Sequence, residues 1–156
     1  MIIINFPSDG TSKVFAYKND NVIFHVDRKF YFGSKIKGKF YENEKLLAET
    51  TDFFLKIKII SQDLESKITV VNNNLLFTNF MIDNDKLKII QNPLYFLYPK
   101  FYSKMYWNGN LVATISMIKL FNFEGVSLKV IFNSEDSRIE YYSTILYLMT
   151  CLTTNL

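Results

Sequence analysis

Three lysines spaced two apart, Lys35, Lys37 and Lys39 in "GSKIKGK" (33–39), form the first pattern in this chain that could do chemistry. That spacing puts all three on one face of an extended strand. A row of ammonium groups suits an anion, either a phosphate or the head group of an anionic lipid. Lys56 and Lys58 repeat the spacing. The same residues also read as the solvated outside of a sheet, since the chain is rich in Lys, Asn, Ile, Phe and Tyr, the residues of AT-rich codons. The segment is not a phosphate loop. Its Gly-x4-Gly-Lys order is followed by Phe40, where a Ser or Thr should stand.

Other reactive side chains are few. His25, the sole histidine, lies in "VIFHVD" and shares a strand face with Asp27, with which it could pair. One imidazole without spaced carboxylates makes no metal site, and no Gly-x-Ser-x-Gly motif supplies a nucleophile. Cys151 stands alone among Leu and Thr, so it reads as a small buried apolar residue. A single cysteine forbids an internal disulfide and a cysteine-cluster metal site. The densest aromatic stretch, "LYFLYPKFYSKMYW" (94–107), could stack bases, face a membrane interface or meet a protein partner. It lacks Arg, and Tyr95, Leu97 and Tyr106 fit core positions equally well. The expectation is a protein with no catalytic residue, no metal and no cofactor, and not an enzyme.

The elements that must position these residues are mostly strands. With 156 residues, 49% of them apolar and 17% aromatic, the chain suffices for one folded domain spanning 1–156. Its 18 Lys and Arg against 15 Asp and Glu give a net charge of +3, too weak a bias for a nucleic-acid binder. "MIIINFPSDG" has no basic leader region, so no secretory signal is expected. No apolar run reaches the ~18–20 residues of a membrane helix. These features lead to an expected cytoplasmic location, with any membrane association peripheral.

Alternating segments rich in Ile, Val, Phe, Tyr and Thr recur about every ten residues. They cover 13–17, 21–26, 35–41, 46–51, 53–60, 67–71, 75–82, 86–90, 94–98, 101–107, 111–121 and 127–132, with Asp52 as a break. Asn108-Gly109 is a strong two-residue hairpin turn. The end differs. "SRIE" (137–140) has the form of a capping box with Ser137 as N-cap, and the uncharged run after it predicts a helix over about 138–153. That helix is apolar nearly all round, which favours enclosure. The alternative is a helix laid across a sheet with one flank wet.

Residues 14–49 slide onto 79–114 without gaps at an offset of 65, giving nine identities, among them Phe15/Phe80, Asn19/Asn84, Lys39/Lys104, Tyr41/Tyr106, Asn43/Asn108 and Ala48/Ala113. The match resumes when 55–63 is laid on 128–136. Internal repeats over about 14–63 and 79–136 would each be a meander of about six strands that cannot close alone. Together they predict a mainly β, antiparallel barrel of about twelve strands around the C-terminal helix.

"KMYWNGNLVATISMIK" (104–119), "FAYKNDNVIF" (15–24) and "RIEYYSTILYLMTCL" (138–152) give the chain a resemblance to the tubby C-terminal-like superfamily, which includes phospholipid scramblases and LURP-one-related proteins. The resemblance implies a twelve-stranded barrel around a buried helix. The phosphoinositide-binding basic set of tubby domains does not map onto this sequence, so head-group binding is not carried over to particular residues. The function expected is non-enzymatic binding or scaffolding, with anionic lipid or a protein as partner and Lys35, Lys37 and Lys39 as the anion-binding candidates. The alternatives are an interaction module acting through the aromatic patch, or a ligand-binding barrel if the helix lies outside.

Overall fold

Period-two alternation makes strands of almost every segment, and the helix gives them something to wrap. A computed structural model describes residues 1–6, 13–32, 35–53, 56–92, 94, 102–122 and 125–151. Twelve strands run in chain order among them: β1 (Ile2–Phe6), β2 (Lys13–Lys18), β3 (Asn21–Tyr31), β4 (Lys35–Glu42), β5 (Lys45–Phe53), β6 (Lys56–Gln62), β7 (Ile68–Asn73), β8 (Phe77–Ile82), β9 (Asp85–Gln91), β10 (Ser103–Trp107), β11 (Asn110–Asn122) and β12 (Gly125–Phe132). One helix, α1 (Ser137–Thr150), follows. The strands form a single antiparallel sheet, ordered β6-β5-β4-β3-β2-β1-β12-β11-β10-β9-β8-β7, which curls into a nearly closed barrel. Within each half, neighbours in sequence are neighbours in space. The halves join where β1 pairs with β12, Ile4 opposite Leu128.

The barrel closes on α1. Every residue from Tyr142 to Thr150 is buried, so no flank of the helix beyond its first turn meets water. Inward side chains from both halves surround it, including Ile2, Ile4, Phe40, Phe80, Leu87, Met105, Ile115 and Leu128. Each such side chain, fully buried, contributes about 1.5–3 kcal/mol relative to exposure. The enclosed arrangement therefore holds, and the one-flank-wet alternative does not. No helix among the described residues is long and apolar enough to cross a membrane.

Several local expectations shift. The helix N-cap is Asp136, not Ser137; its carboxylate accepts from the N–H groups of Arg138 (2.8 Å) and Ile139 (3.3 Å). A carboxylate is both a cap and a charge matched to the positive end of the helix dipole. Asp52 does not break a strand. It continues β5 with its side chain buried, held between Ile36 and Ile57 on the flanking strands. Residues 2–6 supply a further strand outside the expected segments, with Ile2 and Ile4 wholly buried. The strand expected over 94–98 lies outside the described residues except for Leu94, as does Leu152 in the helix expectation.

Candidate functional site

Lys35, Lys37 and Lys39 do share one face. They alternate along β4 with buried Ile36, Gly38 and Phe40, so the strand seals the core on one side and presents cations on the other. Antiparallel pairing extends them into rows across β3, β4, β5 and β6. One row reads Asp27, Lys39, Glu49, Ser61. The next reads Lys29, Lys37, Thr51, Lys58, and the one nearest the C-terminal end of α1 reads Tyr31, Lys35, Phe53, Lys56. Strands lie about 4.8 Å apart, so each row spans about 14 Å.

The rows differ in charge. In the first, Lys39 Nζ lies 3.2 Å from Glu49 and Asp27 faces Lys13 at 3.7 Å, so cations and anions cancel. Donating a hydrogen bond to the Glu49 carboxylate raises the Lys39 ammonium above its usual pKa range. The other two rows contain no acid. Lys29, Lys35, Lys37, Lys56 and Lys58 make no ion pair among the described residues. Lys29 and Lys37 stand directly opposite one another, an arrangement that costs stability in a sheet. Both ammonium groups turn to the Tyr31 ring, each 5.4 Å from its centroid. Tyr31 and Phe53 are half-exposed, and Phe32 beyond the strand is fully exposed. The outcome is a cationic surface set with aromatic rings. Of the three lysines expected to bind an anion, Lys35 and Lys37 belong to it, while Lys39 is occupied by Glu49. Lys29 was not singled out by the sequence; its i+2 relation to Tyr31 and Asp27 was the available signal.

His25 forms no pair with Asp27. It stacks on Tyr41, centroids 4.7 Å apart and planes 9° from parallel, while Asp27 turns to Lys13. Cys151 is buried at the helix C-cap. Of the aromatic stretch 94–107, residues 95–101 lie outside the described set; Met105 and Trp107 are core, and Tyr106 is half-buried. No group of His, Cys, Asp and Glu among the described residues could hold a metal ion.

The opposite end of the barrel is a rim of paired charges around the start of α1. Arg138 lies 2.5 Å from Asp85 and 3.6 Å from Asp83, with its guanidinium over Trp107 (5.5 Å) and Tyr142 (5.6 Å). Glu140 pairs with Lys18, and the Tyr141 hydroxyl donates to Glu42 (3.3 Å). Burial, with Glu42 nearby, pushes that phenol well above its ordinary range. A cleft of about 460 Å³ opens beside the rim, lined in part by Glu42, Lys45, Asp63, Glu65 and Arg138. Its charges answer one another, as in Lys45–Asp63 at 3.2 Å, so it has little electrostatic preference for a ligand. Arg28, also unmarked in the sequence, faces inward at the other mouth over Phe6 and Phe30. Its burial lowers its pKa.

In comparisons with known proteins, no family model, no curated protein and no solved structure matches the chain.

Proposed function

We propose that this is a non-enzymatic binding protein that attaches peripherally to anionic membrane surfaces through the face of β3–β6. The observation that carries the reading is the two acid-free rows, where five lysines lie beside Tyr31, Phe53 and Phe32. Lysines near an anionic leaflet contribute about 1 kcal/mol each, and aromatic rings settle at the head-group level. The enclosed helix supports a binding role over a ligand-holding barrel, because α1 occupies the interior that such a ligand would need.

The membership read from the sequence, that of tubby-like barrels built by duplication, is part of this proposal. It is supported by twelve strands around a helix and by two six-strand halves that share a bulge at matched positions: the register shifts between Phe40 and Tyr41, and between Met105 and Tyr106.

Vesicle flotation tests the function. Phosphatidylcholine vesicles containing phosphatidylserine should carry the protein, and vesicles without it should not. Salt should release it, because surface charges are screened. The double variant Lys35→Glu/Lys37→Glu should weaken binding by about thirtyfold or more. Absence of binding, or binding indifferent to lipid charge and salt, would refute the reading.

A further inference from the structure

Twelve strands surround α1, yet the sheet does not close. Its two edges, β6 and β7, lie side by side without a ladder, and no main-chain hydrogen bond joins them among the described residues. What bridges them is a side chain. Gln62 donates from Nε2 to the Ile68 carbonyl (3.0 Å) and accepts at Oε1 from the Ile68 N–H (2.9 Å). The amide of Gln62 thus stands in for one peptide unit of a missing strand, at the top of the seam only. Below it, each edge strand turns backbone donors and acceptors toward a slot of about 450 Å³.

The lining of the slot alternates in character. Ile57, Ile59, Ile68 and Val70 form its floor, and Lys58 and Lys67 stand on its lips. Ile60 and Val71 flank it at 52% and 59% exposure, high for such residues. No acidic residue lines it. A second copy pairing antiparallel along β6 about Ile57 would set Lys56 opposite the other copy's Lys58, which disfavours self-association in that register. The same charges favour a strand of opposite sign.

We propose that the β6–β7 slot receives an extended acidic peptide, which adds a strand along β6. Main-chain bonds would supply the affinity and alternate side chains the selectivity. Outward positions beside Lys56 and Lys58 call for Glu or Asp, and inward positions beside Ile57 and Ile59 call for Val or Ile. The ligand is therefore a period-two, acidic–apolar segment of a partner protein. This inference does not depend on the membrane reading.

The test uses an acetylated, amidated peptide of alternating Glu and Val, seven residues long to match β6. The controls are the same peptide with a central Pro and a block-sequence isomer. Amide chemical shifts and exchange rates should change over 56–62 and 67–73 only. Lys58→Glu/Lys67→Glu, checked for a normal melting curve, should weaken binding about tenfold or more. Lys35→Glu/Lys37→Glu should leave it unchanged. The proposal is overturned by no binding at ~1 mM peptide, by equal binding of the Pro-interrupted control, or by shift changes on β3 and β4 instead. Concentration-dependent self-association through this edge would also overturn it, since that assigns the slot to a second copy.

Discussion

The β4–β5 and β10–β11 hairpins carry the same irregularity in the same place. Phe40 faces Ala48 and Tyr41 faces Leu46, so Leu47 is the extra residue; Met105 faces Ala113 and Tyr106 faces Leu111, so Val112 is. Each bulge turns two successive side chains inward, Leu47 with Ala48 and Val112 with Ala113, all buried. Even a main-chain bond recurs, from Asp63 N–H to the Leu47 carbonyl (2.7 Å) and from Asn133 N–H to the Val112 carbonyl (2.8 Å). Outside, the likeness is partial: Lys39 and Tyr41 recur as Lys104 and Tyr106. The first hairpin shows Lys35, Lys37 and Lys39, while the position matched to Lys37 in the second is Tyr102, which is buried. One central helix imposes the same inner geometry on both halves. Water imposes nothing comparable, so the outer faces are free to diverge.

The strongest way to break this comparison is to spoil what both hairpins pack against. Leu148 is wholly buried between the halves. Leu148→Asp would place a carboxylate there at a cost of several kcal/mol, against a total stability of about 5–15 kcal/mol. The variant is expected to show no cooperative melting transition by circular dichroism, and a wild-type curve would mean that the helix is not enclosed. A finer probe uses the matched alanines. Ala48→Leu and Ala113→Leu each force extra volume between sheet and helix, and each should cost about 1–3 kcal/mol. Equal losses in urea titrations support equivalent interiors, whereas a loss at one site only would separate the halves.

Much of this was legible in the residues. Alternation located eleven of the strands to within a few positions or better, since most of their inward residues are apolar and two apart, although Thr50, Asp52, Thr78 and Ser103 are polar. The helix hinted at its enclosure because Ile145, Leu146 and Met149 follow one face while Tyr141, Leu148 and Cys151 fill much of the opposite side. The exceptions have physical causes. Residues 2–6 alternate too, but "IIINF" puts apolar residues on both faces, which leaves its period of two faint. Asp52 reads as a breaker because a buried carboxylate is rare, and only its cross-strand neighbours keep β5 continuous. Asp136 lost the cap to Ser137 because the capping-box pattern scores Ser with Glu140, and Glu140 in fact reaches Lys18. The overlay of 55–63 on 128–136 is displaced: pairing sets Gln62 opposite Ala48 and Phe132 opposite Ala113, so Gln62 matches Phe132 rather than Glu135. The lysine rows could not be read at all, because they depend on register between strands and not on spacing within one.

The turns sharpen the comparison at smaller scale. Both hairpins turn in two residues, 43–44 and 108–109, and Asn43 (φ 53°) and Asn108 (φ 48°) adopt the left-handed conformation. Only the second turn has a second such residue, Gly109 at φ 87°. Nothing lies within 4 Å of where its Cβ would be, so the penalty for a side chain is conformational alone. Gly109→Ala should destabilise by about 1 kcal/mol. Glu44→Ala, at the matched position, should stay within about 0.5 kcal/mol of wild type. Paired thermal melts check both.

The rim gives the smallest expected effect and separates the halves by pH. The second half holds α1 through Asp85 and Asp83 to Arg138, and the first through Lys18 to Glu140. Hydrogen bonds from Arg138 and then from the Asn108 amide hold the Asp85 carboxyl below the usual carboxylate range. Asp83 is lowered by the Ser66 hydroxyl and then by the Lys67 N–H. A carboxyl with a depressed folded pKa stabilises fully above its unfolded value, about 3.9, and loses that contribution as pH falls through its folded value. The window therefore lies below about pH 4. Surface ion pairs contribute at most about 1 kcal/mol, so the shift in melting temperature should be slight. Asp85→Asn should lie below wild type at neutral pH and converge on it in acid. A gap that persists unchanged below about pH 2 would mean that Asp85 acts through its shape and not its charge.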